Sequence, residues 1–183
     1  MPDNRLAEPW RSFLTDIDRH LDRTIDLHCL GGFVVADRYD ALRTTADLDV
    51  LQTLNETLRA LIALAGRGTP LHRRHKVYLD VVAVAVVPED YESRLTELHP
   101  GVLRHIRLWA LEVHDLVLAK LTRNIDRDRE DVKRLARYPG LDRALLEQRY
   151  REELRFQVSR QDREDNTLDL WLEMIAEVQA GKA

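Results

Sequence analysis

The chain has 183 residues, of which 44% are hydrophobic and 33% are charged, so it is long enough for one domain with a core and too apolar for a disordered chain. Its formal net charge of −4 excludes an affinity for nucleic acid spread over the whole surface, and confines any such site to a local basic patch. The single cysteine excludes an intrachain disulfide and a cysteine-cluster metal site.

The first ten residues are polar and lack the apolar region of a signal peptide. No apolar stretch reaches the roughly 18 residues that a transmembrane helix needs. We therefore expect a cytoplasmic protein with no membrane partner.

The N-terminal elements follow from the spacing of apolar residues and from glycines. Apolar residues at helical spacing predict an amphipathic helix over 10–25. A short apolar run at 26–30 stops at Gly31-Gly32, which predicts a buried strand entering a tight turn. A short helix is expected over 33–42 and a second strand over 46–51.

The middle of the chain continues this alternation. Thr53 and Glu56 match a capping box, so a helix is predicted from there to about Ala65, before two nearby glycines. The β-branched residues at 76–86 predict a strand. Residues 87–100 are turn-like, and 102–111 are expected to form a further strand.

From residue 112 onward the pattern is helical. Helices are predicted over 113–121, 128–136, 142–157 and 166–180. The expected fold is therefore α/β (α+β), with a mixed sheet and flanking helices in residues 1–111 and a helical half in residues 112–183 that packs on this core.

The sequence RTTADLD at 43–49 carries the first candidate site. On a strand, Asp47 and Asp49 point to one face and Leu48 to the other. Two neighbouring carboxylates repel unless a cation lies between them, and such hard oxygen ligands suit Mg²⁺. The alternative is that both acids lie on an exposed sheet face without a ligand.

The Gly31-Gly32 pair, placed between a strand and a helix, is the second candidate. Glycines there let the backbone approach a phosphate, and a helix N-terminus offers free N–H groups. A plain glycine turn is the alternative interpretation.

Asp80 is a lone acid in the most apolar predicted strand. A charge is costly to bury, so Asp80 either lies at the exposed end of the strand, pairs with a basic group, or acts as a third metal ligand beside Asp47 and Asp49. Three carboxylates could hold two metal ions for phosphoryl or nucleotidyl transfer.

The order of these features resembles the nucleotidyltransferase superfamily with a DNA polymerase β-like core. The features are the Gly31-Gly32 turn, the R-x-T-x-D-x-D pattern at 43–49 and the later strand acid Asp80. The segment HDLVLAKLTRNIDRDREDVKRLA at 114–136 is similar to AbiEii-like proteins, the toxins of type IV toxin–antitoxin and abortive-infection systems. The resemblance covers roughly residues 25–137.

The resemblance implies a role for each matching residue. Gly31 and Gly32 would hold the triphosphate of an NTP, and Arg43 and Thr45 would orient phosphates or support the strand. The implied metal ligands are Asp47, Asp49 and Asp80, with Asp80 also a candidate base. Lys120 would face the phosphates, and Asp131 would lie near the nucleotide or near Lys120.

Some of these positions have competitors. Asp90 is an alternative third acid, and Asp128 an alternative to Asp131. Lys120 could instead extend from an apolar helix face towards solvent.

The resemblance implies Mg²⁺-dependent (or Mn²⁺-dependent) transfer of an NMP from an NTP to a hydroxyl of tRNA, another RNA or a protein, and an antitoxin as a possible partner. Two alternatives stay open: a non-catalytic nucleotide- or partner-binding module on the same fold, and a small-molecule nucleotidyltransferase of the antibiotic-modifying kind.

Two further features complete the set of candidates. Arg67 and the segment LHRRHK at 71–76 form a basic patch, which predicts either a phosphate-binding rim or an ordinary solvated loop. Cys29 lies in an apolar strand, which favours a small core residue over a nucleophile.

Overall fold

The computed structural model describes residues 6–39, 42–51, 56–82 and 85–181. These residues form two compact units. One takes in the described residues up to 82 together with 95–110, and the other takes in 85–94 together with those from 111 onward. Thr53, which begins the predicted capping box, lies outside the described residues.

The first unit is built on a mixed five-stranded sheet in the order β3-β2-β1-β5-β4. Its strands are β1 Ile25–Leu30, β2 Asp47–Val50, β3 Tyr78–Val81, β4 Thr96–Leu98 and β5 Ile106–Ala110. The pairs β2–β3 and β1–β5 are parallel, whereas β1–β2 and β4–β5 are antiparallel. The mixed α/β fold predicted from the sequence is confirmed.

One face of this sheet is apolar. Because side chains alternate along a strand and directly paired residues share a face, the strand registers assign each position to one side. The apolar face carries Leu27, Cys29, Leu48, Val50, Leu79, Val81, Leu98, Ile106, Leu108 and Ala110. All of these except Val81 are buried, so this face forms part of the core. The fully buried thiol of Cys29 donates to Leu27 O at 3.3 Å, which confirms Cys29 as a core residue.

The opposite face is polar. It carries Asp26, His28, Leu30, Asp47, Asp49, Tyr78, Asp80, Glu97, Arg107 and Trp109. Apart from Leu30, all of these side chains are half-buried or exposed. The sheet therefore contributes only one face to the core and leaves charged and aromatic groups on the other.

The helices of the first unit are α1 Trp10–Asp18, α2 Gly31–Val34, α3 Glu56–Ala65 and α4 Pro70–His75, and α2 continues into a π-helical turn at Val35–Tyr39. The prediction that α1 extends to residue 25 is wrong. Ile25 already belongs to β1, where its N–H bonds His105 O.

Helix α4 lies in the predicted basic segment. The Thr69 hydroxyl accepts from the N–H of His72, and Pro70 occupies the first helical turn. This Thr-Pro start is a recognised helix signature, so the sequence contained the information for α4.

Two strand predictions and one turn prediction need correction. The predicted strand at 76–86 is β3, which ends at Val81, and part of that prediction, 83–84, lies outside the described residues. The strand predicted at 102–111 begins only at Ile106. Strand β4 lies within the region predicted to be turns, because a three-residue edge strand paired only with β5 leaves little periodicity in the sequence.

The second unit is helical, as predicted. Its helices are α5 Val113–Leu121, α6 Asp126–Ala136, α7 Arg143–Arg149 and α8 Gln161–Gln179, with a 3₁₀ turn at Tyr91–Arg94, a π-helical turn at Tyr150–Leu154 and a 3₁₀ turn at Arg155–Gln157. Helix α8 contacts α5, α6 and α7. It does so through the apolar stripe that contains Leu168, Trp171 and Ile175, all of them buried.

An ion-pair network fixes the start of α5. Glu112 accepts from the N–H of His114, and the Nδ1 of that histidine lies 2.9 Å from Glu112 Oε1. His114 Nε2 accepts from Asp142 N at 2.9 Å. Arg149 reaches both Glu112 and the fully buried Asp115. The network therefore joins the N-termini of α5 and α7 to the body of α7.

No helix in the described part of the chain is both long and apolar enough to cross a membrane.

The Asp18 carboxylate fixes the entry to β5. It accepts from the backbone N–H groups of Arg104, His105 and Ile106 at 2.7–3.0 Å. We expect Asp18→Ala to lower the free energy of unfolding by about 3 kcal/mol, because it removes the acceptor of three N–H groups at a largely buried position. Urea unfolding measures this loss, with the exposed Asp22→Ala as control. Equal stability of both variants would contradict the assigned role of Asp18.

The second prediction concerns acid stability. Burial of Glu112 by itself would raise its pKa, but the hydrogen bond from His114 and then the hydrogen bond and charge of Arg149 outweigh this effect and lower the pKa from 4.5 to about 2. A lowered pKa stabilises the fold above pH 4.5, and this contribution is lost as the pH falls towards about 2. We expect Glu112→Gln, which can retain the cap, to lose up to about 3 kcal/mol of this acid-sensitive stability.

Urea unfolding at a series of pH values between 7 and 2 measures this acid-sensitive part of the stability. Parallel curves for the parent and Glu112→Gln would contradict the prediction.

Candidate functional site

The three predicted acids share the polar face of the sheet. In the parallel register of β2 and β3, Asp49 pairs with Asp80 and Asp47 pairs with Tyr78. Leu48 points the other way and is fully buried. Asp80 therefore lies beside Asp49 on the same face, whereas Asp90 lies in a turn of the second unit, where its N–H donates to Glu153.

The pKa of the Tyr78 hydroxyl is affected by these acids. The phenol is half-buried, and burial followed by the charge of Asp47 raises its pKa above the usual value; Asp80 and Asp49 act in the same direction. The guanidinium of Arg67 lies 5.6 Å from the Tyr78 ring centre and partly opposes this shift. All three carboxylates thus act on one hydroxyl.

The basic patch borders this face. The His72 ring packs edge-on against the Tyr78 ring, with centroids 5.0 Å apart. His75 instead lies 2.9 Å from Asp16, so the two histidines serve different partners and do not form a metal pair. Arg67 and His72 thus place the N-terminal side of the patch next to the strand that carries Asp80.

Gly31 makes close contact with the acid strand. Its φ of +71° lies in the left-handed region, and a Cβ at this position would overlap the carboxylate of Asp49. Leu30, the last residue of β1, pairs with Asp49. The glycine turn and the acids are therefore parts of one local structure, and only glycine satisfies both the backbone conformation and the contact.

Arg43 and Thr45 support this local structure. A Cβ on Gly32 would lie 2.6 Å from a guanidinium nitrogen of Arg43 and 3.0 Å from Thr45 Oγ1. The Thr45 hydroxyl also donates to Asp47 Oδ1. Of the two roles considered for these residues, this geometry favours support of the acid strand.

Lys120 and Asp131 belong to the second unit, where they contact each other. Lys120 Nζ lies 2.9 Å from Asp131 Oδ2 and 3.7 Å from Asp128 Oδ1, and all three side chains are buried. Burial would raise the pKa of Asp128, but Arg123 and Lys120 lower it. Lys120 is therefore held by carboxylates and does not extend to solvent, and the predicted proximity of Asp131 to Lys120 is present.

One comparison with known proteins identifies a family. A family model described as a nucleotidyltransferase of unknown function (DUF6036) matches residues 12–179. The chain belongs to this family. No curated protein and no solved structure matches it significantly. The match spans the glycine turn, the three acids and the Lys120–Asp131 pair of this DUF6036 chain, and it supports the nucleotidyltransferase superfamily; the narrower resemblance to AbiEii-like proteins stays a prediction.

The three acids of this nucleotidyltransferase-family chain have hard carboxylate oxygens, the type of ligand that Mg²⁺ binds. Within the described ranges, no three His, Cys, Asp or Glu side chains are arranged to hold one metal ion. Mg²⁺ typically takes only one or two carboxylates and completes its shell with water and substrate phosphates. Asp47, Asp49 and Asp80 could therefore supply one or two carboxylates to a cation, but not all three to the same ion.

Sequence reasoning missed Tyr78 and the role of Arg67. Tyr78 was visible as a residue two positions before Asp80, and hence on the same face of a strand. Its pairing with Asp47 depends on the β2–β3 register, which no local pattern specifies. The contact with Arg67 depends on α4, the helix that the sequence prediction omitted.

The glycine turn yields a stability prediction with an internal control. Gly31 and Gly68 both have positive φ, of +71° and +87°, but a Cβ on Gly68 would meet nothing within 4 Å. We expect Gly68→Ala to cost about 1 kcal/mol of backbone strain. Gly31→Ala should cost about 3 kcal/mol or more, because the new methyl group also displaces Asp49.

Thermal and urea unfolding of the two variants measure the difference. Equal losses would mean that the carboxylate of Asp49 can move aside freely, which would contradict the close contact described above.

Proposed function

We propose that this chain is a Mg²⁺-dependent nucleotidyltransferase that moves an NMP from an NTP to a hydroxyl acceptor and releases pyrophosphate. The observation that carries the proposal is the pairing of Asp49 with Asp80, beside Gly31, on the polar face of the sheet. Membership of a nucleotidyltransferase family supports the same reaction class.

In this proposal Asp47 and Asp49 on β2 and Asp80 on β3 are divided between two Mg²⁺ ions that enter with the NTP, so that each ion takes only one or two carboxylates. The bound cations would neutralise negative charge on the phosphates of the NTP as the bond to pyrophosphate breaks. The Thr45 hydroxyl holds the Asp47 carboxylate, so one ligand is oriented before the substrate binds.

Gly31 and Gly32 would bind the phosphates through backbone N–H groups. Their lack of side chains lets Asp49 and Arg43 approach the backbone of this turn closely. Asp80 is exposed and lies on the edge strand β3, so it is the acid best placed to accept the proton of an incoming hydroxyl.

Lys120 is the proposed phosphate-facing cation of the second unit, held by Asp131. Its ammonium group has three N–H donors, and the bond to Asp131 uses one of them.

For the acceptor we propose tRNA or another RNA, with a protein hydroxyl as the second choice. The support is the basic segment at 67–76, which has four arginine or lysine residues and no acid and which packs against Tyr78 next to the acids. A role as the toxin of a toxin–antitoxin pair rests on the resemblance to AbiEii-like proteins, and a cognate antitoxin is part of that proposal.

The experiment that tests the function uses the four NTPs, each labelled at the α-phosphate, with Mg²⁺ and with total RNA or cell extract as acceptor. We expect the parent to transfer label. Asp49→Asn and Asp80→Asn should lower the rate at least about 100-fold, because a bound metal ion supplies several kcal/mol of charge stabilisation. Asp22→Asn, at an exposed position, is the matched control and should retain the parental rate.

Nucleotide binding should be measured on the same proteins by calorimetry. Binding without transfer to any acceptor would contradict the proposed reaction and favour a non-catalytic nucleotide-binding module. Transfer only to small hydroxyl compounds, with RNA and protein unlabelled, would contradict the proposed acceptor and favour a small-molecule nucleotidyltransferase.

A further inference from the structure

Trp109 and His28 form an aromatic pair on the same sheet face as the acids. They are directly paired in the parallel register of β1 and β5, and both are half-buried. Building on the nucleotidyltransferase function proposed above, we propose that this pair is the platform on which the base of the incoming NTP stacks.

The Trp109 ring is held in place. Its indole N–H donates to Asp26 Oδ1 at 2.7 Å, across the pairing of β1 with β5. This bond fixes the rotation of the ring and satisfies its only donor. The ring remains half-buried, so part of its π surface is available while its polar atom is already occupied. A fixed, partly open aromatic surface loses little conformational entropy when a planar ligand stacks on it.

The position of the pair suits the nucleoside part of the substrate. Strand β1 lies between β2, which carries Asp47 and Asp49, and β5, which carries Trp109. Gly31, at the end of β1, is the proposed phosphate site. His28 lies three residues before Gly31, roughly 10 Å back along β1 at the usual rise of a strand. This separation is of the order of the distance between the phosphates and the base of a nucleotide.

The arrangement also separates the two substrates. Asp80, the proposed acceptor-side acid, lies on edge strand β3, whereas Trp109 lies on the opposite side of β1. An acceptor hydroxyl that approaches at Asp80 therefore leaves the surface above β1 and β5 for the nucleoside. Base stacking on aromatic residues is tolerant of sequence because every base has a π face, so we expect this platform to add affinity for all four NTPs.

The experiment compares two ligands that differ by the nucleoside. Calorimetry gives the affinity of the parent, Trp109→Leu and Trp109→Phe for MgATP and for magnesium tripolyphosphate, which has the phosphates but no base. We expect Trp109→Leu to weaken MgATP binding about tenfold, a typical loss for one stacked base. The aromatic Trp109→Phe should retain most of the affinity, and tripolyphosphate should bind all three proteins equally.

A spectroscopic measurement reports on the contact itself. The other two tryptophans, Trp10 and Trp171, are 8% and 2% exposed, so Trp109 is the tryptophan open to a ligand. We expect MgATP to quench the tryptophan fluorescence of the parent and of the control Trp171→Phe, and to leave that of Trp109→Phe unchanged. Circular dichroism melting shows whether each variant is folded.

The outcomes distinguish this inference from the function on which it rests. Equal MgATP affinity in the parent and Trp109→Leu, or an equal loss of tripolyphosphate affinity, would overturn the platform and leave the nucleotidyltransferase proposal intact. Quenching that persists in Trp109→Phe would also overturn it. A parent that binds neither ligand would overturn both. If Trp109→Leu fails to fold, the quenching comparison with Trp109→Phe decides.

Discussion

The parallel register between β2 and β3 is the constraint on which the candidate site depends. It pairs Asp49 with Asp80, while the alternating Leu48 and Leu79 are buried on the other face. A slip of one residue would turn Asp80 into the core and a leucine into solvent, so burial of two leucines enforces the position of the acid. The hydrophobic core thus determines the face of the sheet on which the carboxylates lie.

The same register creates an electrostatic cost. Three carboxylates on one sheet face repel each other, and after burial, the charge of Asp47, with smaller effects from Asp80 and Asp49, raises the pKa of Tyr78. Within the described residues the acids do not converge on a single ion site. Under the proposed function, a cation that enters with the NTP would offset this repulsion.

The sequence predicted what is local and missed what depends on pairing. The alternation at Asp47-Leu48-Asp49 and the position of Gly31 after a strand could be derived because strand periodicity and glycine conformations are local properties. The pairing of His28 with Trp109 could not be derived. The alternation of side chains along a strand predicts which residues share a face, but not which strand lies next to it. The Thr69-Pro70 start of α4 was a local pattern that pattern reasoning could have found, whereas β4 has too few residues to show a period.

Burial of Lys120 restricts the chemistry available to it. If Lys120 left Asp131 for a phosphate, the buried carboxylate of Asp131 would lose its cationic partner, which costs several kcal/mol. The other carboxylate near Lys120 Nζ is that of Asp128, at 3.7 Å. A phosphate contact made while the bond to Asp131 persists avoids this cost. Within the second unit, Asp131 on α6 fixes the ammonium group of Lys120 on α5, and Arg123 keeps Asp128 satisfied independently.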